Sequence, residues 1–152
     1  MKSEMKINVK IKLMRGTALP QYATDGSAAV DLCAALGEGE TLTIKAGGRA
    51  LIPTGIAIAP ETKNVVAVIA ARSGLGVKKG ITLSNGIGVI DSDYRGEISV
   101  GLLNTSGEDY TVSNGDRIAQ LMFLPVYAAN FIVSDELDET ERGAGGFGST
   151  GK

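Results

Sequence analysis

Short apolar runs, cut every few residues by turn-forming residues, are what most constrain the fold of this chain. Ile7, Val9, Ile11 and Leu13 alternate with Asn8, Lys10, Lys12 and Met14, the period of two that marks a half-buried strand. Leu42 and Ile44 repeat the pattern within Thr41 to Lys45, and further apolar runs occupy 28–34, 50–52, 55–59, 65–71, 98–103 and 117–126. Gly, Pro, Asn or Asp punctuates almost every gap, as turns between strands require. No helical period survives for long, and the one candidate helix is a short turn after Arg72, from Ser73 to Lys79. Many short strands spaced by about 8–12 residues predict an all-β sandwich or barrel, and among these a jelly roll. The 152 residues suit one domain with a real core. With 21 glycines, three phenylalanines and no tryptophan, that core must be Val, Ile, Leu and Ala packed between sheets.

Composition narrows the chemistry. Histidine is absent, which removes the usual general base near neutral pH, the triads that depend on it and imidazole metal sites. Catalysis would therefore rest on carboxylates. Cys33 is the only cysteine, so there is no intramolecular disulfide, and a small, buried apolar role suits it better than a reactive thiol. A net charge of -2 argues against polymeric nucleic acid as the main partner, because phosphate backbones need a basic face. Lys2, Glu4, Lys6, Lys10 and Lys12 interrupt every candidate apolar stretch near the N-terminus, and no segment is long enough to span a bilayer. The expectation is a soluble, cytoplasmic protein with no membrane partner.

Five segments concentrate polar groups beside apolar runs. In NGIGVIDSDYRGEI, 85–98, Gly86 and Gly88 flank Ile87 and let the backbone approach a planar ligand closely. Val89 and Ile90 anchor a strand, Asp91, Ser92, Asp93 and Tyr94 form a charged tip, and the chain returns from Glu97 to Leu103 in the outline of a β-hairpin. An ordinary solvated turn is the alternative. Arg72, Ser73 and Gly74 follow the apolar run 65–71 and read either as a phosphate cradle or as a turn with a surface arginine. Asp31 lies in AAVDLCA, where an acid needs a cation, a water or a donor; it faces a metal-bound water, caps a turn or sits on the solvent side of an edge strand. Arg117 and Gln120, in GDRIAQLMF beside Ile118 and Leu121, point either to solvent or to a shared ligand. The tail RGAGGFGSTGK carries Arg142, Phe147, Ser149 and Thr150 among glycines, and reads as a flexible linker or as a lid that orders on a nucleotide.

Taken in order, AVDLCA at 29–34, ARSGLG at 71–76, NGIGVIDSDYRGEI at 85–98, GDRIAQLMF at 115–123 and RGAGGFGSTG at 142–151 closely resemble the five motifs of the homotrimeric dUTPase family. The resemblance implies a distorted β jelly roll of the β-clip kind, a domain over 1–141 closed by a glycine-rich lid over 142–152, and active sites assembled from three subunits. It implies hydrolysis of dUTP to dUMP and pyrophosphate, which keeps uracil out of DNA and supplies dUMP for dTMP synthesis. Asp91 matches the water-activating carboxylate and Tyr94 the aromatic beneath deoxyribose. Asn85, Val89, Ile90 and the main chain to Asp91 match the hairpin that reads uracil, with Ser99 lining the same pocket. Arg72, Ser73, Gly74 and Gln120 match phosphate-holding residues, Asp31 the acid that contacts Mg2+ through water, and Arg142, Phe147, Ser149 and Thr150 the closing tail. Ala29 and Ala71 stand where the family often has glycine and proline; neither carries chemistry.

Two alternatives belong to other activities. The dCTP deaminases share this fold but need an acid in the base pocket, and the segment from Ile98 to Asn104 has no Glu or Asp. A regulatory protein that kept the pocket as a nucleotide sensor is the non-enzymatic alternative, although every candidate catalytic residue is present.

Overall fold

The computed structural model describes residues 6–146. Eleven strands and one short helix follow in the order β1 Val9–Leu13, β2 Val30–Cys33, β3 Thr41–Ile44, β4 Arg49–Pro53, β5 Ile56–Pro60, β6 Val65–Ala70, α1 Ser73–Lys79, β7 Ile81–Leu83, β8 Gly88–Ile90, β9 Ser99–Asn104, β10 Tyr110–Ser113 and β11 Arg117–Pro125. They form a four-stranded sheet β2-β11-β6-β8, a three-stranded sheet β4-β9-β7 and the pairs β1-β5 and β3-β10, all antiparallel. This is the expected all-β jelly roll with a single short helix.

Alternation decides which residues form the core. In β6 and β9 every second side chain is buried, and Leu32, Ile44, Ile52, Ile56, Ile81, Ile98, Leu102, Ile118, Val100 and Val112 are the most deeply enclosed apolar side chains. β11 departs from strict alternation, since Ile118 and Ala119 are both buried. A bulge between Arg117 and Ala119 resolves this: the extra residue turns two consecutive side chains inward and re-aims Arg117. The helix ends where Gly80, at φ 67, lets its N–H turn back to the carbonyls of Gly76 and Leu75.

The segment 85–98 corrects the hairpin expected from sequence. β8 pairs with β6, through Ala67↔Ile90, Val68↔Val89 and Ile69↔Gly88, whereas β9 lies between β4 and β7 in the other sheet. The tip 91–98 is a crossing between sheets, because Gly88 lets β8 lie close against Ile69 and β9 finds its partners elsewhere. The chain passes directly between these two sheets, with no other strand intervening, three times, over 71–80, 84–87 and 91–98. After Pro125 residues 126–146 contain no helix or strand, and Tyr127, Phe131, Ile132, Val133 and Leu137 stand almost fully exposed.

Candidate active site

Strand register assembles the first polar group. Gln120 of β11 lies opposite Asp31 of β2 on one side and Ala70 of β6 on the other, so three strands set these residues in one row. Two residues beyond Ala70, Arg72 folds back and its Nε donates to Asp31 Oδ1 at 2.9 Å. Arg117, re-aimed by the bulge, donates from Nη1 to Asp31 Oδ2 at 3.3 Å, and Arg72 Nη1 also donates to the Arg117 carbonyl at 3.3 Å. Gln120 Nε2 donates to the Ala71 carbonyl at 3.0 Å, fixing the start of the Arg72-Ser73-Gly74 segment. Asp31 is thus on an edge strand and meets two cations, which answers the question its place in an apolar run raised. Ser73 and Gly74 open α1 and are exposed. Cys33, half-buried beside this group, has its thiol pushed up by burial and by the Asp31 charge, so it stays a protonated, unreactive side chain.

The second group is a cleft of about 100 Å³ between the two main sheets, lined by Asn85, Gly88, Val89, Ile90 and Ser99, with Ile69, Leu83, Val100 and Gly101 behind them. β8 is the last strand of its sheet, so one edge of its main-chain N–H and C=O groups has no strand partner. Asp91 and Val89 border a larger groove of about 600 Å³ with Lys63, Val65, Val66, Ser92, Asp93 and Val126. Val89 lines both spaces. Asp91 is exposed, and its carbonyl accepts from the Tyr94 N–H at 3.1 Å. The Tyr94 ring, 44% exposed, is held at its far end by a hydrogen bond from Oη to the Glu97 carbonyl at 3.1 Å. Arg95 Nη1 closes the tip by donating to the Ser92 and Tyr94 carbonyls, at 2.8 and 3.0 Å.

Among the described residues, no hydrogen bond or ion pair joins the Asp31-Arg72-Arg117-Gln120 group to the Asn85–Ser99 group. Arg142 belongs to neither: its Nε donates to the Gly145 carbonyl at 2.9 Å, within the start of the tail. Phe147, Ser149 and Thr150 lie outside the described residues. Lys63 and Val126 had no signal in sequence, since only the fold brings them beside Asp91. No set of three or more Cys, Asp or Glu among the described residues is placed to hold a metal ion. No described helix is long and apolar enough to cross a membrane.

A small jelly roll whose polar loops run where two sheets exchange the chain is the class of protein defined by this fold and site. The sequence model of the dUTPase family matches residues 15–151. A deoxyuridine 5'-triphosphate nucleotidohydrolase of Desulfitobacterium hafniense is 54% identical over 148 residues, covering 95% of this chain and 97% of that protein. One from Glaesserella parasuis serovar 5 is 53% identical over 134 residues, covering 88% of this chain and 87% of the relative. Among solved structures, the G164S mutant of Staphylococcus bacteriophage 80alpha dUTPase with dUpNHpp superposes with a TM-score of 0.85 at 22% identity, covering 95% of this chain and 99% of that one. The chain belongs to the dUTPase family.

Proposed function

We propose that this protein hydrolyses dUTP to dUMP and pyrophosphate, with Asp91 as the carboxylate that orients and deprotonates the attacking water. Water adds to the α-phosphorus, its proton passes to Asp91, and the bond from the α-phosphorus to its bridging oxygen breaks so that pyrophosphate leaves in line. The observation that carries this reading is the placement of Asp91 directly after Val89 and Ile90, which line the cleft between the sheets. The high identity to named deoxyuridine 5'-triphosphate nucleotidohydrolases supports it.

The unpaired edge of β8 offers main-chain donors and acceptors to a uracil ring, with Asn85 and Ser99 beside it. Cytosine would present a donor where uracil has an acceptor, leaving a polar group of the cleft unpaired, and the thymine methyl would need room that so small a cleft lacks. Tyr94 packs beneath deoxyribose and a ribose 2′-OH collides with it. Arg72, Ser73, Gly74 and Gln120 hold the phosphates. Asp31 already accepts from two arginines, and the lone pairs it has left suit contact with a cation's water better than direct ligation. When bound, Mg2+ would neutralise phosphate charge and be held chiefly by phosphate oxygens and waters, with Asp31 outside them.

The separation of the two polar groups and the exposed apolar side chains of 126–146 support association with further copies of the chain, which we take to be the homotrimer that the resemblance implies. In it, the arm of one subunit covers apolar surface of another and brings the 142–152 lid, with Arg142, Phe147, Ser149 and Thr150, onto a neighbouring site. Such a protein acts on a small nucleotide, with no need of a nucleic-acid or membrane partner, and works in the cytoplasm.

Pyrophosphate release with Mg2+ from dUTP, dCTP, dTTP and UTP in parallel, with ammonia followed for dCTP, tests the reading. Release confined to dUTP is expected. Ammonia from dCTP, or tight dUTP binding without turnover, would overturn it. Asp91→Asn should lower turnover by about 10²–10⁴-fold while nucleotide binding persists; near-normal turnover would remove Asp91 from the base role.

A further inference from the structure

We infer that Glu97, held by Arg15 and Gly55, is a positioning residue that fixes the Tyr94 ring and so sets discrimination against the ribose 2′-OH. The inference rests on the proposed role of Tyr94 as the surface beneath the sugar. The Tyr94 ring is 44% exposed, and its hydroxyl is tied to the carbonyl of Glu97, three residues further along the chain. Gly96 has no side chain to intrude, and a Cβ there would overlap the Tyr94 hydroxyl. The ring is therefore placed by wherever the backbone of Glu97 is placed.

That backbone is anchored from outside the tip. The Glu97 carboxylate accepts from the Gly55 N–H at 2.9 Å and from Arg15 Nη1. Arg15 is the one non-glycine residue with positive φ, at 52°, among the described residues, a conformation that L side chains rarely adopt. The turn that imposes it is itself fastened: the Met14 N–H donates to the Gly55 carbonyl at 2.8 Å and Thr17 Oγ1 to the Thr54 carbonyl at 3.3 Å. One residue further on, Thr54 Oγ1 donates to the Ile98 carbonyl at 2.6 Å, and the Ile98 N–H donates to the Ile56 carbonyl at 2.8 Å. Three distant segments, 14–17, 54–56 and 97–98, thus lock together around the residue whose carbonyl holds the ring. Of these contacts, those of the Glu97 carboxylate are made by the residue whose carbonyl holds the Tyr94 hydroxyl. An ion pair with a 47% exposed arginine contributes little to global stability on its own, so its effect is expected locally, on the ring.

The test compares kcat/KM for dUTP, UTP and dCTP in wild type, Glu97→Ala, Glu97→Gln, Arg15→Ala and Tyr94→Ala. Loss of both contacts of the carboxylate predicts a UTP-to-dUTP ratio raised by about tenfold in Glu97→Ala, and raised less in Arg15→Ala, where only the ion pair is lost and the Gly55 bond remains. Rejection of dCTP should not change, because β8 and not the tip reads the base. Glu97→Gln keeps an acceptor for the Gly55 N–H and should restore most of the sugar discrimination. If Glu97→Ala does not fold, Arg15→Ala carries the test. A wild-type UTP-to-dUTP ratio in the folded alanine variants, with Tyr94→Ala relaxed, would overturn the inference and leave the Tyr94 reading standing. Equal losses for all three nucleotides would also overturn it, as a purely structural effect. An unchanged ratio in Tyr94→Ala would overturn the Tyr94 reading itself and the inference with it.

Discussion

Replacing Gly88 with alanine should damage stability and turnover together. A Cβ at Gly88 would lie 2.9 Å from Ile69 Cβ, 3.1 Å from its Cδ1 and 3.2 Å from its Cγ1. Carbon atoms in contact prefer about 3.5–4.0 Å, so β8 or Ile69 must give by roughly 0.5–1 Å. Ile69 cannot yield easily: it is 3% exposed, paired to Gly88 on one side and to Leu121 on the other. Overpacking of this kind costs about 1–3 kcal/mol, which in a domain of this size lowers Tm by about 2–10 °C. β8 is the element that would shift, and Asp91 follows it by one residue. A displacement approaching 1 Å at the proposed base would lower turnover by up to about 10²-fold. Thermal unfolding followed by circular dichroism, with pyrophosphate release from dUTP, reads both effects. Gly107→Ala is the control, since a Cβ there meets open space and its φ is not left-handed. A Gly88→Ala protein that melts and turns over like wild type would refute the close-packing argument.

Asn104 is fully buried; its Nδ2 donates to the Ile44 and Glu108 carbonyls at 3.0 and 2.7 Å, and its Oδ1 accepts from Ser106 N and Oγ at 3.0 and 2.7 Å. Asn104→Ala strands several of these groups and should lower unfolding free energy by about 2–4 kcal/mol, seen as a lower urea midpoint at unchanged slope; an unmoved midpoint would contradict it. Among the described residues, three carboxyl groups are held below the ordinary carboxylate range: Glu97 by the Arg15 hydrogen bond and, less, by the Gly55 N–H; Asp109 by Lys45; and Glu61 by the Asn8 N–H and side chain. Their folded values lie below their unfolded ones, so their contribution is complete above the unfolded carboxylate range and is lost as pH falls through the lowered values. Urea midpoints should therefore decline from about pH 5 downward, and less steeply in the double variant Glu61→Gln, Asp109→Asn; equal slopes would refute the assignment. With no histidine in the chain, no side chain of ordinary pKa titrates between about pH 6 and 8, and the midpoint should be flat there.

The strands legible in the sequence were those long enough to show alternation. Val65–Ala70 and Arg117–Pro125 stand close to where the apolar runs place them, and the turn after Arg72 is the helix Ser73–Lys79. Ile81–Leu83 and Tyr110–Ser113 escaped, because three or four residues with Thr or Ser facing outward carry too little pattern. The true partner of β8 is illegible for a different reason: turn chemistry around Asp91 is local, whereas the choice of β6 as partner for β8 depends on packing between Gly88 and Ile69. The motifs and their order were legible, but their mutual contacts were not. Asp31 and Arg117 are 86 positions apart and Arg15 and Glu97 are 82 apart, and no periodicity reports on pairs so distant.

The three passages between the main sheets carry, in turn, the Arg72-Ser73-Gly74 segment, Asn85 and the Asp91–Tyr94 tip. The proposed phosphate grip, base recognition and water activation would therefore share one gauge, the clearance between two slabs. A change of core volume beneath Ile69, Leu83 or Val100, which back the cleft, would not detune one of these tasks alone. It would move all three at once, so a change of side-chain size in this part of the core would have to be compensated in place, by a matching substitution across the same gap.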